Sequence, residues 1–163
     1  MRAHHLPTDP IACLLCLLLA GGPLAPRRRL LRQTGSAAAA LAAARQPGYP
    51  HGLTTTQRHA LQHPDPVRMR ACLDWLAADA RHHLVGLDQA DYPALLAASP
   101  EPPLALFIDG DPDLLWRPSV AVVGSRAATA SGRAIAAQLS QALCAAGLTV
   151  ASGLAAGIDA AAH

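Results

Sequence analysis

The chain has 163 residues, 52% of them hydrophobic and 15% charged, a balance that supports a packed core and excludes wholesale disorder. That length holds one good domain, or a small domain with part of another. The net charge of +2 excludes no class of partner by itself, but residues 1–64 carry seven arginines against the single acid Asp9, whereas residues 65–163 carry six arginines against ten acids, as two modules would.

Residues 8–62 read as short helices. Thr8-Asp9-Pro10 offers a cap with proline in the first turn, so a helix is expected over the apolar run Ile11–Ala20, ending at Gly21-Gly22-Pro23. Ten apolar residues are too few to span a bilayer, which needs about 20. Arg2 precedes the run, yet Asp9-Pro10 stands where the basic lead of a signal peptide belongs. A buried helix of a cytoplasmic protein, with no membrane contact, is the expectation. Cys13 and Cys16 form a C-x-x-C, but no second Cys or His pair follows at zinc-finger spacing. Inside that run they read as small buried hydrophobes. A second helix, Pro26 to Gln33, carries Arg27, Arg28, Arg29 and Arg32 and stops at Thr34-Gly35. A third runs from Ser36 through Ala37–Arg45 to Pro47-Gly48. Helices separated by glycine turns outline a small helix-hairpin-helix or SAM-like domain. Its arginines and helix N-termini stand where phosphates could approach, or form a plain solvated face; both readings stay open.

Residues 63–118 form a connector. Pro66 to Arg81 is helical in pattern, with Met69, Leu73 and Leu76 or Trp75 on one side. His82-His83-Leu84-Val85 suits a short strand, Asp91–Leu96 a short helix, and Leu104–Ile108 a strand closed by Asp109-Gly110. The eight histidines do not converge on a metal-like spacing, so no metal site is assigned. Asp109, Asp111 and Asp113 read as solvated loop.

Residues 119–151 read as one βαβ unit. Ser119–Val123 is a continuous apolar run, as expected of a parallel strand buried on both faces. Gly124 ends it, and a loop, Ser125–Ala130, leads into a helix with Ile135, Leu139 and Leu143 four apart. Gly147 closes that helix and Leu148–Ala151 is the next strand, followed by a second glycine loop, Ser152–Asp159. Both loops leave the carboxyl ends of parallel strands, the general ligand position in such sheets. A glycine at the strand exit and the amides after it favour an anion.

The identity of that anion can be narrowed. A dinucleotide site needs G-x-G-x-x-G and an acid ending the second strand; here stand Gly124-Ser125-Arg126 and Ala151-Ser152-Gly153. No G-K-[ST] occurs either, so neither NAD nor a P-loop nucleotide is expected, and no cofactor is assigned. An arginine beside amides and hydroxyls suits a phosphodiester, which the planar guanidinium grips in a bidentate way.

Val120-Ala-Val-Val-Gly-Ser-Arg126, then Thr129 and Gly132, then Val150-Ala-Ser-Gly-Leu-Ala-Ala-Gly-Ile-Asp-Ala-Ala-Ala-His163, resemble the paired signatures of the DNA-processing protein A (DprA/Smf) family. Asp91-Tyr92-Pro93, Leu96, Pro102-Pro103-Leu104 and Gly110 match its approach segment. The resemblance implies an α/β fold: a SAM-like helical domain, residues 8–62, then a Rossmann-like parallel-sheet domain within 63–163 that counts the strand at about 104–108 with the βαβ at 119–151. It implies single-stranded DNA binding and loading of the recombinase RecA in natural transformation, homodimerisation, and no catalytic chemistry. Carried over by motif, Gly124, Ser125 and Arg126 would hold phosphate, with Gly153, Gly157 and Asp159 shaping the adjoining wall. Asp159 has the alternative of a helix-capping acid. The family's later strands and dimer surface are not in these residues, so the chain reads as a fragment with a truncated sheet. The competing enzyme class, a phosphoribohydrolase of the lysine-decarboxylase-like family, would need a P-G-G-x-G-T loop, which is not among the 163 residues. With aromatic residues at 3%, base stacking should be subordinate to phosphate contacts.

Overall fold

The computed structural model describes residues 9–46, 48 and 52–163; Arg2, Thr8 and Pro47 of the reading above lie outside them. The chain forms two compact units, Met1–Asp111 and Pro112–His163.

The first unit is built on its most apolar helix. Asp9 caps α1 (Pro10–Leu19), its carboxylate accepting from the Ala12 amide at 2.8 Å, and Pro10 sits where an N–H would have no intrahelical partner. Cys13 to Leu17 are all buried, together with Leu30 and Leu31 of α2 (Leu24–Thr34) and Ala37, Ala40, Leu41 and Ala44 of α3 (Ala37–Ala44). α2 stops at Gly35, whose φ of 77° is the left-handed helix end that a side chain would resist. A helix not anticipated from periodicity, α4 (Thr55–Gln62), starts at a reciprocal capping box between Thr54 and Gln57.

The turn between α1 and α2 leaves carbonyls inside the protein, and remote side chains answer them. Arg27 Nη1 donates to the carbonyls of Leu17 at 2.8 Å and Leu18 at 2.9 Å, and Nη2 to that of Gly22 at 3.0 Å. Gln57 Nε2 donates to Gly21 and Pro23, both at 2.8 Å. Arg28 donates to the Pro102 carbonyl at 3.2 Å. Arg27 is 6% and Arg28 7% exposed, so two arginines of the basic helix are internal struts rather than part of a solvated face.

The segment expected to be a connector is part of this core. Asp65 caps α5 (Pro66–Ala78), which lays Met69, Cys72, Leu73 and Leu76 against α1 and its neighbours. Next come β1 (His82–Gly86), a short α6 (Ala94–Ala97) and β2 (Ala105–Asp109). β1 and β2 pair antiparallel, with His82 opposite Asp109 and Gly86 opposite Ala105. Trp75 stacks on His82 at 3.8 Å and meets Phe107 edge-on at 5.6 Å, and the His82 Nδ1–H donates to the Trp75 carbonyl at 2.6 Å. One expectation is corrected here: the strand near 104–108 pairs with β1 in a two-stranded sheet, and the parallel sheet is β3 and β4 alone among the described residues. The reason is local: Tyr92 donates its hydroxyl to the Pro103 carbonyl at 2.9 Å, and the Leu87 amide donates to Leu104 at 2.8 Å. These bonds turn the chain back beside β1 and place Leu84 and Leu104 in the helical core.

The second unit has a 3-10 turn (Pro112–Trp116), β3 (Ser119–Ala121), α7 (Ala130–Ala145), β4 (Thr149–Ala151) and α8 (Ile158–Ala162). β3 and β4 are parallel, Ser119 opposite Thr149, and the pairing is prolonged by the Val122 amide donating to Ala151 at 2.9 Å. The expected βαβ unit is present, but its burial differs. β3 is exposed along its length, because β4 is its one strand neighbour among the described residues. α7 turns Ala136 and Ser140 inward and leaves Ile135 and Leu139 exposed. The small inward residues let the helix lie close, as at Gly132, where an added Cβ would stand 3.7 Å from Ile158.

No helix among the described residues is long and apolar enough to cross a membrane. Cys13 and Cys16 form no disulfide and are buried; burial, then the neighbouring Cys13, pushes the Cys16 thiol up to about 11. At pH 8 only about one Cys16 in 1,000 is thiolate, the reactive form, whereas Cys144 is exposed. Iodoacetamide at pH 8 is therefore expected to modify Cys144 under native conditions and to reach Cys13 and Cys16 only after denaturation; peptide mass mapping reads the order. Arg27→Leu should leave three carbonyls unanswered and destabilise the first unit by at least about 2 kcal/mol in urea titrations. Arg32→Ala, on the exposed side of the same helix, should change stability by less than about 0.5 kcal/mol.

Candidate phosphate-binding loops

Two loops meet at the ends of β3 and β4, and glycines decide how closely. A Cβ on Gly124 would stand 2.7 Å from the Ile158 side chain, so the first loop touches the start of α8. Gly157, with φ at 92°, lies against the carbonyl oxygen of Ser125, and a Cβ there would also come 2.8 Å from the Arg126 carbonyl. Only glycine fits both the conformation and the approach. The Ile158 amide donates to the Ser125 carbonyl at 3.2 Å, completing the interlock.

Asp159 joins the loops from beneath. It is 7% exposed, and its Oδ1 accepts from the Gly124 amide at 3.2 Å while Oδ2 accepts from the Gly153 amide at 3.1 Å. A buried carboxylate needs donors of this kind, and both strand exits supply one. Asp159 is thus not a cap: Gly157 holds the cap position of α8, with no side-chain bond there. The amides of Gly124 and Gly153 are thus both given to Asp159.

What remains outward is Arg126 and its neighbours. Ser125 Oγ accepts from the Ala127 amide at 3.2 Å, folding the loop on itself. Arg126 is exposed. Thr129 caps α7, its hydroxyl accepting from the Gly132 amide at 3.1 Å, which gives the paired threonine and glycine of the motif a structural role. Arg133, not singled out from the sequence, folds back to donate to the Ala128 carbonyl at 2.7 Å and adds a second exposed cation beside the loop. In the second loop, exposed Leu154 has φ of 54°, a conformation that costs a side-chain-bearing residue about 1–2 kcal/mol, and the Ser152 hydroxyl is enclosed with no partner among the described residues. Gly124, Ser125, Arg126, Gly153, Gly157 and Asp159 are therefore brought together, with Arg126 facing out and Asp159 facing in. No group of three or more His, Cys, Asp or Glu able to hold a metal occurs among the described residues.

Residues 83–163 match the family described as DNA recombination-mediator protein A. Protein Smf of Escherichia coli (strain K12) is 37% identical over 112 residues, covering 69% of this chain and 30% of that protein. The DNA processing protein DprA of Bacillus subtilis (strain 168) is 35% identical over 80 residues, 48% of this chain and 27% of that one. The X-ray structure of DNA processing protein A from Streptococcus pneumoniae aligns over 92% of this chain and 51% of its own, with a TM-score of 0.64 and 26% identity. This chain belongs to the DprA/Smf family. It spans about half of the Streptococcus protein and under a third of these two curated relatives. The DprA/Smf match takes in both loops and the Tyr92–Pro103 clasp.

Asp159→Asn should leave one of the two glycine amides facing an NH2 group instead of an oxygen, at a cost of about 1–3 kcal/mol. Hydrogen exchange at Gly124 or Gly153 should accelerate accordingly. Gly157→Ala should destabilise this unit more than Gly124→Ala, because the obstruction at 157 is backbone; a thermal melt in which the two are equal would contradict the interlock.

Proposed function

We propose that this chain is a DNA-contacting part of a recombination mediator without catalytic chemistry, which binds single-stranded DNA and passes it to RecA in natural transformation. On this reading the first unit contains a SAM-like domain, the βαβ unit begins a Rossmann-like sheet, and the working protein is a cytoplasmic homodimer. Membership of the DprA/Smf family supports DNA processing as the setting.

The observation that carries the reading is the mounting of Arg126. Gly157 fixes the backbone under it, Asp159 ties down the strand exit before it, and its own side chain is exposed. A guanidinium held at its base meets a phosphate with less ordering cost than one on a loose loop. Because Asp159 takes the amides of Gly124 and Gly153, the phosphate is met by side chains, Arg126 first with Ser125 beside it, and not by those amides. Arg133 stands by as a further cation.

Arg126→Ala should weaken binding of single-stranded oligonucleotides of unrelated sequence alike, since a phosphate contact carries no base information. It should flatten the slope of log affinity against log salt by about 0.7. Arg126→Lys should recover part of the loss, keeping the charge without the bidentate fork. Filter binding across a salt series reads both quantities; an unchanged affinity and slope would refute the role.

A further inference from the structure

We propose that the groove lined by Ala25, Arg28, Arg29, Arg32, Gln33 and Pro100 is a second contact surface for the phosphodiester backbone of nucleic acid, on the helical unit and separate from the loops. The inference rests on the reading of the chain as DNA-binding but not on Arg126. Its volume is about 380 Å³, and three of its six described lining residues are arginines while none of the six is acidic.

The groove is a product of how α2 is held. Arg27 and Arg28 point inward and are bound by carbonyls, which fixes the rotation of the helix. That rotation leaves Arg29 and Arg32, three residues apart and so on one face, exposed beside Gln33. Arg32 is tethered to the Ala97 carbonyl at 3.3 Å, and Arg28 forms the floor, bonded to Pro102. α2 carries four arginines and no acid, so its like charges at three- and four-residue spacing repel with no carboxylate on the helix to offset them. A ligand bearing repeated negative charges relieves that repulsion. Arg29 and Arg32 offer planar donors that fit phosphate oxygens, and no aromatic ring is among the described lining residues, so the contact is with backbone and carries no sequence preference. Glu101 is exposed and its carboxylate stands 3.7 Å from the buried Arg28 guanidinium; at that separation, with the carboxylate in solvent, the pair is weak and readily displaced.

The test uses the whole chain, a fluorescein-labelled oligo-dT and a salt series, with vesicles of phosphatidylcholine and phosphatidylserine as a parallel arm. Arg29→Gln with Arg32→Gln should flatten the salt slope by about 1.4, two single-strand phosphate contacts, and Arg126→Ala should subtract its own share independently. Glu101→Gln should move the other way, tightening binding about twofold as a nearby negative charge is removed. A double variant that loses slope while Arg126→Ala does not supports the groove and removes the loop reading. An unchanged slope in the folded double variant, with Arg126→Ala still effective, overturns the groove alone. Loss of vesicle binding without loss of oligo-dT binding also overturns it, in favour of a lipid surface. Should the double variant fail to melt cooperatively, Glu101→Gln decides, and an unchanged affinity there overturns the inference.

Discussion

A chain that reverses direction inside a protein strands backbone amides and carbonyls away from water, and each must find a partner. In both units that requirement is met by a polar side chain arriving from elsewhere in the sequence. Asp159 answers two amides, at Gly124 and Gly153, which are separated by α7 and β4. Arg27 and Gln57 answer the carbonyls around the α1–α2 turn, from later helices. The apolar core supplies most of the stabilisation, but these polar ties choose one arrangement of the loops and one rotation of α2.

The same ties sort the ionisable groups by use. Formal charge suggested a strongly basic front, yet two of the arginines on α2 are spent on carbonyls and have no freedom to meet a ligand. Asp159 shows the converse: an acid within the paired glycine-loop motif, turned away from the surface and bonded to backbone amides. Exposure and partners, more than counts of basic residues, decide which side chains remain for a phosphate.

Much of this was legible in the residues. Caps at Asp9 and Asp65, the glycine stop at Gly35 and the β3–α7–β4 order follow from short-range rules, because capping and turn chemistry act within a few residues. The box Thr54-x-x-Gln57 obeys the same rules, but only Ala60 and Leu61 behind it are apolar, too few to mark a helix by themselves. What could not be read was long-range. No local pattern says that Leu104 to Ile108 will pair with β1 or that Tyr92 will clasp Pro103. The stripe Ile135–Leu139 is exposed for a related reason: an apolar period marks a face, while small residues such as Gly132 and Ala136 mark where a helix can approach closely. The loops were recognisable as loops, yet their interlock depends on Ile158 and Asp159 arriving from the other side.

The two glycines of that interlock differ in what they permit over evolutionary time. At position 124 the space is filled by the side chain of Ile158, and a lineage that first acquired a smaller residue there could later tolerate a methyl group in the loop. Sequence drift at 124 thus has a compensating partner. At position 157 the space is filled by the carbonyls of Ser125 and Arg126, which every amino acid carries. No second change of side chain can clear it, so this glycine is an endpoint from which single-step variation has no exit.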